Sequence, residues 1–104
     1  VDEGVDLIID FIGKNYFTAN LNTLRRDGTL VFLAFMSGPT LGPDANIAQI
    51  LFKRLTLKGS TLRSRTQEYQ ADLLQRFKDN ALDKIRQGDM RVEVHEVSLA
   101  MPVI

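Results

Sequence analysis

Two nearly continuous apolar runs constrain the fold most. Val5-Asp6-Leu7-Ile8-Ile9-Asp10-Phe11-Ile12 stops at Gly13, and Thr29-Leu30-Val31-Phe32-Leu33-Ala34-Phe35 runs into Met36-Ser37-Gly38-Pro39. Each is too short for a membrane span, and neither has the gaps of a helix with one wet face. Such runs fit strands buried on both sides, as in a parallel sheet. Parallel strands need a crossover between them, and the intervening residues supply one. Lys14 to Leu24 places Phe17, Leu21 and Leu24 at helical spacing, which predicts a short helix with one apolar face. Arg25 and Arg26 are expected at its end, where cations suit the helix dipole. Asp27-Gly28 is read as the break that follows.

The same alternation continues. The loop Leu41-Gly42-Pro43-Asp44 carries residues that forbid regular structure, and Asp44 is expected to cap a helix from about Ala45 to Arg54. Leu55 to Leu62 alternates and contains Lys58, which predicts an edge strand. Ser64-Arg65-Thr66-Gln67 matches a capping box. A long helix is expected from there to about Gln87, with Tyr69, Leu73, Phe77, Ala81 and Ile85 at a spacing of four and Gly88 as its stop. Val92 to Val97 alternates in a way that suits an exposed strand or an extended segment. The order strand, helix, strand, helix, strand, helix defines an α/β fold. It is a partial doubly wound (Rossmann) sheet of three parallel strands with alternating helices.

Composition removes several functions. The 104 residues include no Cys and a single His, at position 95. That excludes a disulfide scaffold, a cysteine nucleophile, a thiolate metal site and a paired-His site within one chain. Thirteen basic side chains balance 13 acidic ones, which argues against a nucleic-acid binder. Neither a membrane span nor a signal-peptide pattern is visible, so the chain is expected in the cytoplasm.

In open α/β sheets ligands bind at the carboxyl ends of the strands. Here those ends are Phe11-Ile12-Gly13, Ala34 to Gly38 and Leu62 to Arg65, although Gly after a strand is also an ordinary turn. Arg63 and Arg65 could pair with a phosphate or an acidic group, but next to a helix start they read first as solvated surface charges. Lys53, Arg54 and Lys58 form a basic cluster without interleaved aromatics. Asp6 and Asp10 share a strand face without an evident partner, and Asp10 is read as an anchor for loop backbone amides. His95 reads as a surface residue, and the Tyr69-Leu73-Phe77 stripe reads as core. No G-x-G-x-x-G, P-loop, Ser-His-Asp set or metal set can be assembled.

Three segments carry a family resemblance. Gly4 to Gly13, Asp27-Gly28-Thr29-Leu30-Val31 and, most specifically, Leu51 to Arg65 resemble the zeta-crystallin-like quinone oxidoreductases. These form a branch of the medium-chain dehydrogenase/reductase superfamily. The resemblance implies that residues 1–104 are the C-terminal half of a dinucleotide-binding domain. The glycine-rich phosphate loop and the substrate domain would lie outside this sequence. It implies NADPH as cofactor, hydride transfer to a quinone or conjugated carbonyl, and no catalytic zinc. By motif, Ile12 and Gly13, then Ala34, Phe35 and Met36, then Ser60, Thr61 and Leu62 would border the nicotinamide, largely through backbone, with no catalytic side chain in this chain. It further implies a quinone-like substrate, no nucleic acid, no membrane, and a homodimer formed through strand 55–62. An enoyl or alkenal reductase of the same superfamily is the enzymatic alternative. A non-catalytic module pairing through an exposed strand edge is the other. The strand at Val5 to Phe11, central in such a sheet, would here present an open apolar edge and favour association, and the isolated half-domain would be inactive.

Overall fold

The computed structural model describes residues 4–91, 93 and 94. The chain divides after Arg63 into two compact units. The first holds a three-stranded parallel sheet in the order β1-β2-β3. Its strands are β1 (Val5–Asp10), β2 (Leu24–Phe32) and β3 (Thr56–Gly59). A 3-10 turn, Lys14–Tyr16, and helix α1 (Phe17–Thr23) connect β1 to β2; helix α2 (Ala48–Phe52) precedes β3. The α/β architecture expected from the apolar runs is the one observed.

Register explains where the core sits. Ile8 pairs with Leu30 and Leu30 with Leu57, so these three share a face; Asp10, Phe32 and Gly59 form the next row. Phe17 and Leu21 of α1 pack there with Leu24 and Leu30, and Ile50 of α2 joins them. Both crossover helices therefore cover one face, as strands laid down in sequence order with one handedness require. The other face carries Val5, Leu7 and Ile9, which stay exposed.

Several boundaries differ from the sequence reading. Arg25 and Arg26 lie in β2, not at the end of α1, because the helix stops at Thr23. Asp27-Gly28 does not end an element; it bulges the strand, so that Val5 pairs with Leu24 while Leu7 already pairs with Thr29. Asp27 adopts φ 63°, and Arg54 across from it adopts φ 53°. The two left-handed residues hold each other. Arg54 Nε and Nη2 donate to the two Asp27 carboxylate oxygens at 2.8 and 2.9 Å, and Asp27 N donates to Lys53 O at 2.7 Å. The hydrogen bond from Arg54 holds the Asp27 carboxyl below the usual carboxylate range. The pair thus stabilises the fold at neutral pH and loses that contribution as acid protonates Asp27; both side chains are solvated, which keeps it small.

Helix α2 is shorter than the expected 45–54, and Asp44 does not cap it. Asn46 Oδ1 accepts from Ala48 N at 2.8 Å instead, an Asx turn that starts the helix later. Strand β2 ends at Phe32 and β3 spans only Thr56–Gly59, because their continuations curl into loops.

The second unit is helical: α3 (Gln67–Phe77), a π-helical turn (Lys78–Leu82) and α4 (Asp83–Arg86). Its N-cap is Thr66, not Ser64: extended Thr66 accepts from Tyr69 N at 3.1 Å through its hydroxyl. The expected stop is correct. Gly88 has φ 83°, Gly88 N donates to Ile85 O and Asp89 N to Lys84 O, the two bonds of a Schellman motif. The expected strand at Val92 to Val97, His95 included, falls largely outside the described residues.

Candidate functional site at the strand ends

Parallel pairing brings the carboxyl ends of the three strands to one edge. The ladder then continues irregularly into the loops. Leu33 N donates to Asp10 O at 2.8 Å, Met36 N to Phe11 O at 3.0 Å, and Ser37 N to Ile12 O at 2.8 Å. On the other side, Ser60 N donates to Phe32 O at 2.9 Å. These bonds place Ile12 and Gly13 beside Ala34, Phe35 and Met36. Ser60 is tied to the end of β2, and Thr61 and Leu62 follow it in the chain.

Asp10 organises the first loop, as its position at the strand end suggested. It is 4% exposed and its carboxylate accepts from Ile12 N at 3.0 Å and Gly13 N at 2.9 Å. Charged acceptors make the stronger hydrogen bonds, and burying this one without partners would cost far more than it returns. Gly13 fits where no other residue would. It has φ 87°, and a Cβ there would lie 2.8 Å from Phe35 Cδ1 and 2.9 Å from Gly38 O.

Ser37 is a structural contributor that the sequence reading passed over. Its hydroxyl donates to Ile12 O at 2.6 Å and accepts from Asn15 N at 3.0 Å. Lys14 N also donates to Gly38 O at 3.1 Å. The two loops are thus sewn together by backbone and by one hydroxyl. The available signal was a hydroxyl next to glycine directly after an apolar strand.

The candidate residues differ in whether their backbone groups are engaged. Ile12 N, Ile12 O, Gly13 N and Gly13 O are all engaged inside the chain; the last accepts from Tyr16 N at 3.0 Å. Ile12 and Gly13 therefore offer a ligand no free backbone N–H or C=O. Among the described residues no hydrogen bond takes up the N–H or C=O of Ala34. Phe35 and Met36 follow it in the chain with exposed side chains, Met36 at 76%. The Phe35 ring packs tilted against Phe32, centroids 5.3 Å apart. A free N–H and C=O followed in the chain by an exposed aromatic ring and a thioether can take a flat ring that bears an amide.

Several of the other charged candidates are spent on structure. Lys53 Nζ donates to Leu21, Asn22 and Leu24 carbonyls, capping the end of α1. Arg54 holds Asp27, and Asp6 pairs with Arg25 at 3.0 Å. The Arg65 guanidinium lies 4.3 Å over the Tyr69 ring. A cavity of about 380 Å³ lined by Arg26, Gln49, Phe52 and Lys53 sits at α2 and includes none of the strand-end residues. Among the described residues no helix is long and apolar enough to cross a membrane.

A three-stranded parallel sheet with crossover helices is the class defined by these observations, a Rossmann-like α/β layer. Residues 1–79 match the zinc-binding dehydrogenase family model, and the chain belongs to that family. This family lies in the medium-chain dehydrogenase/reductase superfamily. Solved structures share the fold. A quinone oxidoreductase from Pseudomonas syringae pv. Tomato DC3000 is 18% identical, with a TM-score of 0.60 over 88% of this chain and 27% of its own. CurA from Vibrio vulnificus, in complex with NADPH, is 22% identical, with a TM-score of 0.55 over 86% of this chain and 28% of its own. A crotonyl-CoA carboxylase/reductase is 20% identical, with a TM-score of 0.59 over 72% and 16%. The chain thus spans between 16% and 28% of the length of these relatives. No curated protein matches it in sequence.

Zinc, which the family description names, does not fit the residues present. The sequence holds no Cys, and among the described residues no group of three His, Cys, Asp or Glu side chains is placed to take a metal ion. A nicotinamide fits better, since the strand-end edge offers an unengaged N–H and C=O beside apolar surface.

Proposed function

We propose that this chain is the nicotinamide-side half of the cofactor domain of an NADPH-dependent, zinc-independent quinone oxidoreductase of the zeta-crystallin-like kind. The unengaged backbone of Ala34, followed in the chain by the exposed side chains of Phe35 and Met36 at the strand-end edge, carries the reading. Family membership and the shared fold of a quinone oxidoreductase and an NADPH-bound protein support it. Ala34 would take the carboxamide through its N–H and C=O, with Phe35 and Met36 against the ring. Ile12 and Gly13 would form the floor, and Ser60, Thr61 and Leu62 the far border. Bound NADPH supplies a hydride, which a quinone or conjugated carbonyl accepts. This chain's residues orient the ring and exclude water; no side chain here is assigned a proton transfer.

Titrating isotopically labelled protein with NADPH into the millimolar range tests the reading. Amide resonances of Ala34, Phe35 and Met36 should shift together, with those of Ser60 to Leu62. Shifts confined to the Arg26 and Lys53 cavity, or none at all, would reject it and leave the strand-pairing module as the better account.

A homodimer through strand 55–62 belongs to the same proposal. Among the described residues β3 lies at one edge of the sheet. Ser60 N points to β2, so by alternation Leu57 N and Gly59 N point away from β2, to the side on which no described strand lies and where a second β3 could pair. Leu57→Pro and Thr61→Pro should both reduce dimer mass in sedimentation velocity. Unchanged association in both variants would assign it to another surface, the exposed Val5-Leu7-Ile9 face first.

A further inference from the structure

We propose that Asp10 and Ser37 act as one positioning pair that locks the β1-end loop onto the β2-end loop and so holds Ala34 to Met36 in a preformed ligand edge. The inference rests on the cofactor reading above and extends it to residues that touch no ligand.

The geometry converges on a single peptide unit. From one side, the buried Asp10 carboxylate takes the N–H groups of Ile12 and Gly13. From the other, Ile12 O takes two donors, Ser37 N at 2.8 Å and Ser37 Oγ at 2.6 Å. Both lone pairs of that carbonyl are filled. The Ser37 hydroxyl then accepts from Asn15 N at 3.0 Å, so it bridges two points on the β1-end loop across 25 and 22 residues of sequence. Met36, immediately before Ser37, is fixed by its own bond to Phe11 O. Neither loop can shift without breaking a charge-assisted or a doubly accepted hydrogen bond. A site built this way meets its ligand without ordering a loop first, which removes a cost that would otherwise weaken binding.

Three variants of the full chain test this: Ser37→Ala, Ser37→Thr and Asp10→Asn. The first measurement needs no ligand. Amide hydrogen exchange should quicken across the junction: at Ile12 and Gly13 in Ser37→Ala, and at Met36 and Ser37 in Asp10→Asn. About tenfold is expected, the worth of one strong hydrogen bond. The Leu30 amide, in the central strand, should keep its rate, which separates loop release from general loosening. Ser37→Thr retains the hydroxyl and should behave as the parent. The second measurement is NADPH affinity read at Ala34 and Phe35. It should fall roughly tenfold in Ser37→Ala and return in Ser37→Thr.

Exchange that quickens only at the amide whose own acceptor was removed would overturn the coupling. So would an opened junction with unchanged NADPH affinity. If the parent protein shows no NADPH response at Ala34, the cofactor reading falls, and exchange across the junction alone decides the lock. If Asp10→Asn does not fold, the two Ser37 variants decide it.

Discussion

Leu30→Ala should lower the stability of the chain by about 3 kcal/mol in urea unfolding, within the range for a fully buried leucine. That is half or more of the total near the low end for a small domain. Leu30 has 0% exposure and sits mid-sheet, between Ile8 on one side and Leu57 on the other. Its neighbours in the core are few. Among the described residues only Phe17, Leu21 and Leu24 are buried hydrophobics beside it. A cavity there cannot be refilled easily, because Ile8 and Leu57 on either side belong to strands whose register is fixed by backbone bonds. Leu51→Ala is the matched control. Leu51 is 75% exposed on α2, so its loss should stay within about 0.5 kcal/mol. Equal midpoints for the two variants would mean that the packed layer of α1 and α2 on the sheet is not what holds this unit together.

The sequence made the layer legible because its strands are read from local runs. Val5 to Phe11 and Thr29 to Phe35 are apolar on both faces, and period alone distinguishes them from the one-faced helix at Phe17 and Leu21. Gly88 was readable for a similar reason, since a helix with apolar residues every four positions must end where a residue can turn left-handed. Asp10 was readable because an acid at the end of a buried strand has few other partners than the loop that follows. Ser37 was not. Its role depends on Ile12 and Asn15, more than 20 residues away, and no periodicity argument reaches across a crossover. Arg25 and Arg26 misled because a charge at a helix end and a charge on a strand edge look alike in one dimension. The tie between Asp27 and Arg54, which sets that strand's bulge, is again distant in sequence. Asp44 and Asn46 are both good helix starters; the choice between them follows from which side chain reaches the Ala48 amide.

Gly13→Ala should be the most damaging single-methyl change at the ligand edge. Two costs add there. The backbone at φ 87°, ψ −120° is a region that residues with a Cβ avoid, worth about 1–3 kcal/mol. The new methyl would also meet Phe35 Cδ1 at 2.8 Å, Gly38 O at 2.9 Å and Phe35 Cα at 3.2 Å. Phe35's ring can rotate away, but two of those three contacts are backbone. Overpacking of this kind adds about 1–3 kcal/mol. The chain's easiest relief is to part the two loops, which breaks the Lys14 N to Gly38 O bond and moves Ala34 with Phe35. Gly13→Ala should therefore lower the unfolding midpoint and abolish the NADPH response at Ala34. Adding Phe35→Ala should recover only part of the stability, since Gly38 O still blocks the methyl and the dihedral cost is untouched. Full recovery in the double variant would locate the whole effect in the Phe35 ring. A stable Gly13→Ala variant with an unchanged NADPH response would show that the floor under Ala34 can yield without disturbing the ligand edge, and the preformed site would then be the wrong description of it.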